Sequence, residues 1–148
     1  MSDLSHVDES GAVRMVDVGD KPLSRRRAVA AARVVMAPET VCRLRELPKG
    51  DALVTAQLAG VMAAKRTAEL IPLCHPLPIS HIDLSVDVRG ESVEIQAIVE
   101  TTAQTGVEME ALVAASVAAL TVYDMAKAID KEMVVGSVRL LEKTKEAV

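Results

Sequence analysis

The chain has no Phe and no Trp, and Tyr123 is its only Tyr, so aromatics make up 1% of a sequence that is 50% hydrophobic. A core without aromatic rings must be filled by Ala, Val, Leu, Ile and Met, which bury little area each but let backbones approach closely. A chain of 148 residues is long enough for one domain around one core. So Ala-rich a composition points to further burial in an oligomer. Cys42 and Cys74 are too few for a disulfide framework. There is no Cys-x-x-Cys, and His6, His75 and His81 show no ligand spacing, so neither a metal nor an organic cofactor is expected. Basic charge is also short, with a net charge of −4 that argues against general nucleic-acid binding. Neither a Gly-rich phosphate loop nor a GxGxxG occurs. The longest uncharged run of the late apolar segment, 111–123, is short for a bilayer span. The polar opening MSDLSHVDESG lacks a signal-peptide pattern. Two reduced thiols in a cytoplasmic protein are the simplest reading.

What is present can be parsed into elements. Residues 1–12 read as a flexible lead-in and 13–148 as one domain. VRMVDV (13–18) alternates loosely and predicts a short strand, and RAVAAARVVM (27–36) a second, with helix as its rival. APETVCRLREL (37–47) predicts a short helix opened by Pro38, with Cys42 in the core. Asp51 is placed to cap a helix over 52–71 that Pro72 closes. Ile82, Leu84, Val86 and Val88 alternate with polar residues, Arg89-Gly90-Glu91 turns, and Val93, Ile95, Ala97 and Val99 return, which predicts a hairpin. Thr105 and Glu108 have capping-box spacing at the head of a long helix running to about Lys131, and SVRLLEK (137–143) reads as a last strand. Folding the short helix into the first connection leaves β-α-β-β-α-β, a ferredoxin-like two-layer α+β sandwich with an antiparallel sheet and helices on one face.

The chemistry-bearing groups cluster at the two ends of the long helix. Asp124 and Lys127 are an i, i+3 pair, and an Asp beside Lys is held ionised, as suits proton transfer near an anion. A surface ion pair at a helix C-terminus explains the same spacing. Met109 and Glu110 share the Asp124 face, together with Lys131, but 14 residues of helix, about 21 Å, separate Glu110 from Asp124. Two copies packed antiparallel would bring one copy's Met109 and Glu110 beside the other's Asp124 and Lys127. Cys74-His75 sits between Pro72 and Pro76, which gives His75 a defined direction for proton exchange; a buried structural histidine is the alternative. Lys49 precedes a helix N-terminus, a natural anion site, and Lys65-Arg66 lie shortly before the His75 loop. The run Arg25, Arg26, Arg27 offers further phosphate contacts or only a solvated arm.

On the segments MVDV (15–18), KGD (49–51), AGVMAAKRTAELIPLCHPLPIS (59–80), TGVEMEALVAASVAALTVYDMAKAIDK (105–131) and VGSVRLLEK (135–143), the chain resembles the cyclic pyranopterin monophosphate synthase (MoaC) family. The resemblance runs from about residue 5 to 143. It implies a ferredoxin-like lyase of molybdenum-cofactor (molybdopterin) biosynthesis. Such an enzyme converts 3′,8-cyclo-7,8-dihydroguanosine 5′-triphosphate, the product of a radical-SAM GTP cyclase, to cyclic pyranopterin monophosphate with release of pyrophosphate. It implies a homohexamer built as a trimer of dimers with active sites at the dimer interface. By motif it makes Asp124 the catalytic acid/base, with Lys127, Lys49 and His75 in the reacting centre. Leu73, Cys74, His75, Met109 and Glu110 would line the substrate, and Arg26 and Lys65 would meet the triphosphate. Arg25 and Arg27 leave the arginine uncertain by one position. The ending KTKEAV departs from the Gly-Lys-rich tail common in the family.

Three other readings compete. A ferredoxin-like sensing domain would bind an anionic metabolite in the same pocket without chemistry. An RNA-binding module would need strand aromatics that this chain lacks. A structural assembly subunit would explain the Ala-rich helix but not the reactive groups at its ends.

Overall fold

The computed structural model of the chain describes residues 4–148. The expectation for residues 1–12 therefore falls partly outside the described residues. Strand β1 (Ser24–Val35) leads through a single turn, α1 (Pro38–Val41), to helix α2 (Ala52–Lys65) and a further turn, α3 (Thr67–Leu70). The hairpin β2 (Ile79–Arg89) and β3 (Ser92–Ala103) follows, then helix α4 (Glu108–Ala126) and strand β4 (Val134–Ala147). The sheet runs β2-β3-β1-β4 with every neighbour antiparallel. This is the ferredoxin-like βαββαβ arrangement, with α2 and α4 on one face.

Period-two alternation sets the faces. Ala28, Ala30, Ala32 and Val34 of β1 stand opposite Val99, Ala97, Ile95 and Val93 of β3, and all eight are in the core under the helices. Leu84 and Val86 of β2 extend that layer. Small residues bring the helices close. Ala52, Ala56, Gly60 and Ala64 of α2 recur every fourth residue and are buried against the Ala-rich side of α4, Ala111, Ala114, Ala115, Ala118 and Ala119. A Cβ at Gly60 would lie 2.8 Å from Leu84 Cδ1 and 3.2 Å from the Ala114 carbonyl oxygen, so only glycine lets α2 pass between β2 and α4 at this distance.

Several expected boundaries move. Among the described residues, 14–18 pair with no strand, and Val13 bridges to Val7; the segment lines a cavity instead. Residues 37–47 give only the turn α1, after which Leu44 and Leu47 dive into the core while Cys42 lies exposed rather than buried. The 52–71 helix breaks at Arg66. There the Thr67 hydroxyl donates to the carbonyls of Ala63 and Ala64 at 3.2 and 3.1 Å and distorts the backbone turn. Asp51 does cap α2, accepting from Leu53 N at 2.9 Å and Val54 N at 3.2 Å. The Thr105–Glu108 capping box does not form. Val107 occupies the N-cap of α4 with no side-chain cap, and Glu108 pairs instead with Lys143 at 2.9 Å.

Helix α4 also stops at Ala126, so Lys131 leaves the Asp124 face. The cause is Asp130, whose buried carboxylate accepts from Ala37 N at 3.0 Å, Thr40 Oγ1 at 2.8 Å and Glu132 N at 2.9 Å. Three bonds to a charged acceptor outweigh one more helical turn. They also hold the Asp130 carboxyl below its ordinary range, the Ala37 amide foremost. At 19 residues α4 is long and apolar enough to cross a bilayer by composition alone, contrary to the estimate from 111–123. Its alanine stripe packs instead against the sheet and α2.

Candidate active site

At the C-terminal end of α4, three distant parts of the chain meet. Leu47 and Gly50 exchange backbone hydrogen bonds of 3.1 and 2.8 Å, closing a tight turn with Gly50 at φ +112°. Only glycine holds that conformation readily. Leu47 anchors the turn in the core, and Lys49 projects from its tip. Lys49 Nζ reaches Asp124 Oδ2 at 2.8 Å, and Lys127 Nζ reaches Oδ1 at 2.9 Å. The Lys127 contact is the predicted i, i+3 pair. The Lys49 contact, across 75 residues of sequence, makes the cluster more than a helix-end ion pair.

The hydrogen bond from Lys49, and then that from Lys127, pull the Asp124 carboxyl down to about 2, while the bond to Asp124 raises Lys127. Asp124 is therefore a carboxylate at neutral pH, bracketed by two cations with one positive charge in excess. All three side chains are about half exposed, and exposed pairs add little to stability. What the cluster can do is chemical. An anion that draws a lysine away from Asp124 would release its carboxylate to accept a proton.

The second cluster lies at the other end of α4. Prolines 72, 76 and 78 keep residues 71–78 out of helix and strand, and Thr101 Oγ1 ties this loop down by donating to the Pro78 carbonyl at 2.8 Å. The loop presents Leu73, Cys74 and His75 to a cavity of about 260 Å³. Met109 and Glu110 form its floor, and His6, Val16, Val18 and Lys21 close it from the N-terminal side. Lys65 meets His75 and Glu110 around a smaller adjoining cavity.

Glu110 is only 5% exposed, and among the described residues its Oε2 has no hydrogen-bond partner. Burial, helped by the nearby Glu108 charge, raises its carboxyl to about 7. Burial first, then Glu110 and Glu108, also raise the Cys74 thiol, which disfavours its thiolate form.

The Glu110 shift has a definite sign in stability. Between its unfolded value near 4.5 and about 7 the folded chain holds the extra proton, so its contribution falls as pH rises through that window. Glu110→Gln is expected to remove this slope and to stabilise the chain at pH 8 by about 1–3 kcal/mol. Urea unfolding of both proteins at pH 5 and pH 8 measures it. An equal difference at the two pH values would show that Glu110 is not held protonated.

The arginine run separates by face. Arg25 pairs with Glu146 at 3.7 Å, and Arg27 with Glu142 at 2.7 Å and Glu100 at 3.5 Å, on the face away from the helices. Arg26 alternates onto the helix face, half-buried, with its Nε donating to Ser24 Oγ at 2.6 Å and Lys145 opposite it on β4. Among the described residues it pairs with no carboxylate. KTKEAV is mostly strand, not tail.

The structure thus joins Lys49, Asp124 and Lys127 in one group, and Leu73, Cys74, His75, Met109, Glu110 and Lys65 in another. It does not join the groups to each other within one chain. Sequence reasoning missed His6 and Lys21, since neither sits in a chemical pattern, and it missed the Lys143–Glu108 pair, which depends on the register of β4.

A ferredoxin-like scaffold with a Lys-Asp-Lys cluster and a Cys-His loop over a buried acid defines a protein equipped for proton transfer on a small anionic molecule. The chain belongs to the MoaC family, whose model matches residues 15–146. It is 58% identical over 148 residues to the cyclic pyranopterin monophosphate synthase of Roseiflexus sp. (strain RS-1), covering 97% of this chain and 94% of that protein. The proteins of that name from Heliobacterium modesticaldum and Streptomyces coelicolor are each 57% identical, over 148 and 143 residues. Those matches cover 97% and 95% of this chain and 93% and 84% of the relatives.

Proposed function

We propose that this chain is a cyclic pyranopterin monophosphate synthase, a lyase of molybdenum-cofactor biosynthesis. It converts 3′,8-cyclo-7,8-dihydroguanosine 5′-triphosphate to the cyclic pyranopterin and releases pyrophosphate. Residues 13–148 are its catalytic domain, working in the cytoplasm without a bound cofactor. The observation that carries the reading is the Asp124 carboxylate held between Lys49 and Lys127, in a chain so similar throughout to synthases.

The roles follow from the chemistry. The triphosphate competes for the lysines, which frees Asp124 to exchange protons at the ribose–purine junction as acid/base. Lys49 and Lys127 then neutralise charge that develops on phosphoryl oxygens as the cyclic phosphate closes. His75 is the second proton-transfer group. Leu73, Cys74, Met109 and Glu110 hold the bicyclic base, with Glu110 Oε2 the free polar atom for a ring nitrogen or amide. Arg26 and Lys65 meet the phosphates.

The two clusters stand about 21 Å apart along α4, too far for one substrate. Antiparallel pairing of two chains through α4 would unite them. Leu120 on α4 and Val54, Leu58 and Met62 on α2 are exposed and apolar, which supports such a contact. A homohexamer built as a trimer of these dimers is the assembly we propose.

Purified protein supplied with the cyclised dihydro-GTP is expected to release one pyrophosphate per cyclic pyranopterin formed, both followed in the same reaction. A folded oligomer that binds this compound but leaves it unchanged would reject the synthase reading in favour of a binding protein.

A further inference from the structure

The segment before β1 has no part in the roles above, yet it forms a wall of the His75 cavity, where Val16 and Val18 are half-buried. Its direct tie to the reacting loop is one hydrogen bond, 2.8 Å between His75 Nε2 and the Val16 carbonyl oxygen. A carbonyl oxygen only accepts, so Nε2 must carry a hydrogen. In a neutral imidazole the lone pair then lies on Nδ1, which has no partner among the described residues. The segment is itself held on both sides of Val16. Gln104 Nε2 donates to the Gly19 carbonyl at 3.2 Å, Asp17 Oδ1 accepts from Gly19 N at 2.8 Å, and Arg14 N donates to the His6 carbonyl at 2.8 Å.

We infer that Val16 is a positioning residue: through its carbonyl, the strap of residues 14–19 selects the Nε2–H form of His75, so that proton exchange with the substrate takes place at Nδ1. The catalytic consequence rests on the synthase reading, whereas the tautomer does not. His6 supplies an internal contrast. Its Nδ1 lies 3.1 Å from the Arg14 carbonyl oxygen, so the same reasoning puts the hydrogen on Nδ1 there.

The test is made on the full chain labelled with nitrogen-15 histidine, whose three histidines are assigned by single substitution. Long-range nitrogen–proton spectra distinguish the two tautomers. In the wild type, His75 is expected as Nε2–H and His6 as Nδ1–H. Loosening the strap by the triple change Met15→Gly, Val16→Gly and Asp17→Gly should shift the His75 tautomer ratio about fivefold toward Nδ1–H, the worth of one ordinary hydrogen bond. It should also lower kcat about tenfold, with a smaller change in KM. His75→Gln guards against a general packing effect. Its amide Nε2 retains the donor to Val16, so amide exchange in the strap should stay slow.

A wild-type His75 in the Nδ1–H form, or a tautomer ratio and kcat unchanged by the triple substitution, would overturn the inference. Rapid strap exchange in His75→Gln would do the same. Should the wild type show no turnover, the synthase reading fails while the tautomer shift still decides the role of the strap.

Discussion

Asp124→Ala is expected to lower kcat by about 10²–10⁴-fold, the usual worth of a positioned proton-transfer group, while the oligomer and its thermal unfolding are preserved. The fold should survive because the side chain is half exposed, on the last full turn of α4, and its ion pairs run to the flexible ends of Lys49 and Lys127. The change leaves two unpaired ammonium groups in the cluster, so triphosphate affinity should hold or improve, and the loss should appear in kcat with KM steady or lower. Asp124→Asn sharpens the test, because it keeps the shape and, through its amide oxygen, one of the two lysine contacts, but not the basicity. If both variants lose turnover equally, the carboxylate acts through its charge and proton. If Asp124→Asn retains more than about a tenth of kcat, Asp124 only positions the lysines, and the acid/base assignment is wrong.

Asp124→Ala and His75→Ala chains, each inactive alone, are expected to recover about a quarter of wild-type turnover when co-expressed and randomly mixed. The number follows from the geometry. If each site takes Asp124 from one chain and His75 from its antiparallel partner, a mixed pair carries both lesions in one site and neither in the other. Half of randomly formed pairs are mixed, and half of their sites are intact. A site contained in one chain gives no recovery at any mixing ratio, so the same measurement that supports the shared site can exclude it. The distance of about 21 Å along a rigid helix is what makes recovery the expected result.

Much of this architecture is legible in local pattern. The alternation of Ile82, Leu84 and Val86 against Val93, Ile95, Ala97 and Val99 is a two-residue period that only a half-covered strand satisfies, and the hairpin forms where it is expected. Asp51 before a helical run caps α2, since its carboxylate meets two free amides within three residues. Asp124 and Lys127 touch because a helix places i and i+3 on one face. Each of these depends on interactions a few residues long.

Most of the errors come from longer range, the local break at Arg66 excepted. Arg66 interrupts α2 because of the Thr67 hydroxyl, and α4 stops short because Asp130 finds donors in Ala37 and Thr40, about 90 residues back. Glu108 has capping-box spacing but finds a stronger partner in Lys143, which β4 delivers. Cys42 follows an apolar residue in a helical pattern, yet α1 ends at Val41 and the thiol faces solvent. Residues 14–18 alternate like a strand but line a cavity and pair with no strand among the described residues.

By itself the sequence determined the βαββαβ order, an aromatic-free core of small side chains, and the identities of the reactive groups, because these follow from periodicity, composition and motif. The tertiary structure alone decided that Lys49 shares Asp124 with Lys127, that Arg26 and neither neighbour turns to the helix face, and that Glu110 is buried with its Oε2 unpaired among the described residues. It also decided that the His75 loop joins the Glu110 end of α4 and Lys49 the Asp124 end. The physical reason is that charge pairing, burial and distance are set by segments far apart in the chain, and no local pattern encodes which of them will meet.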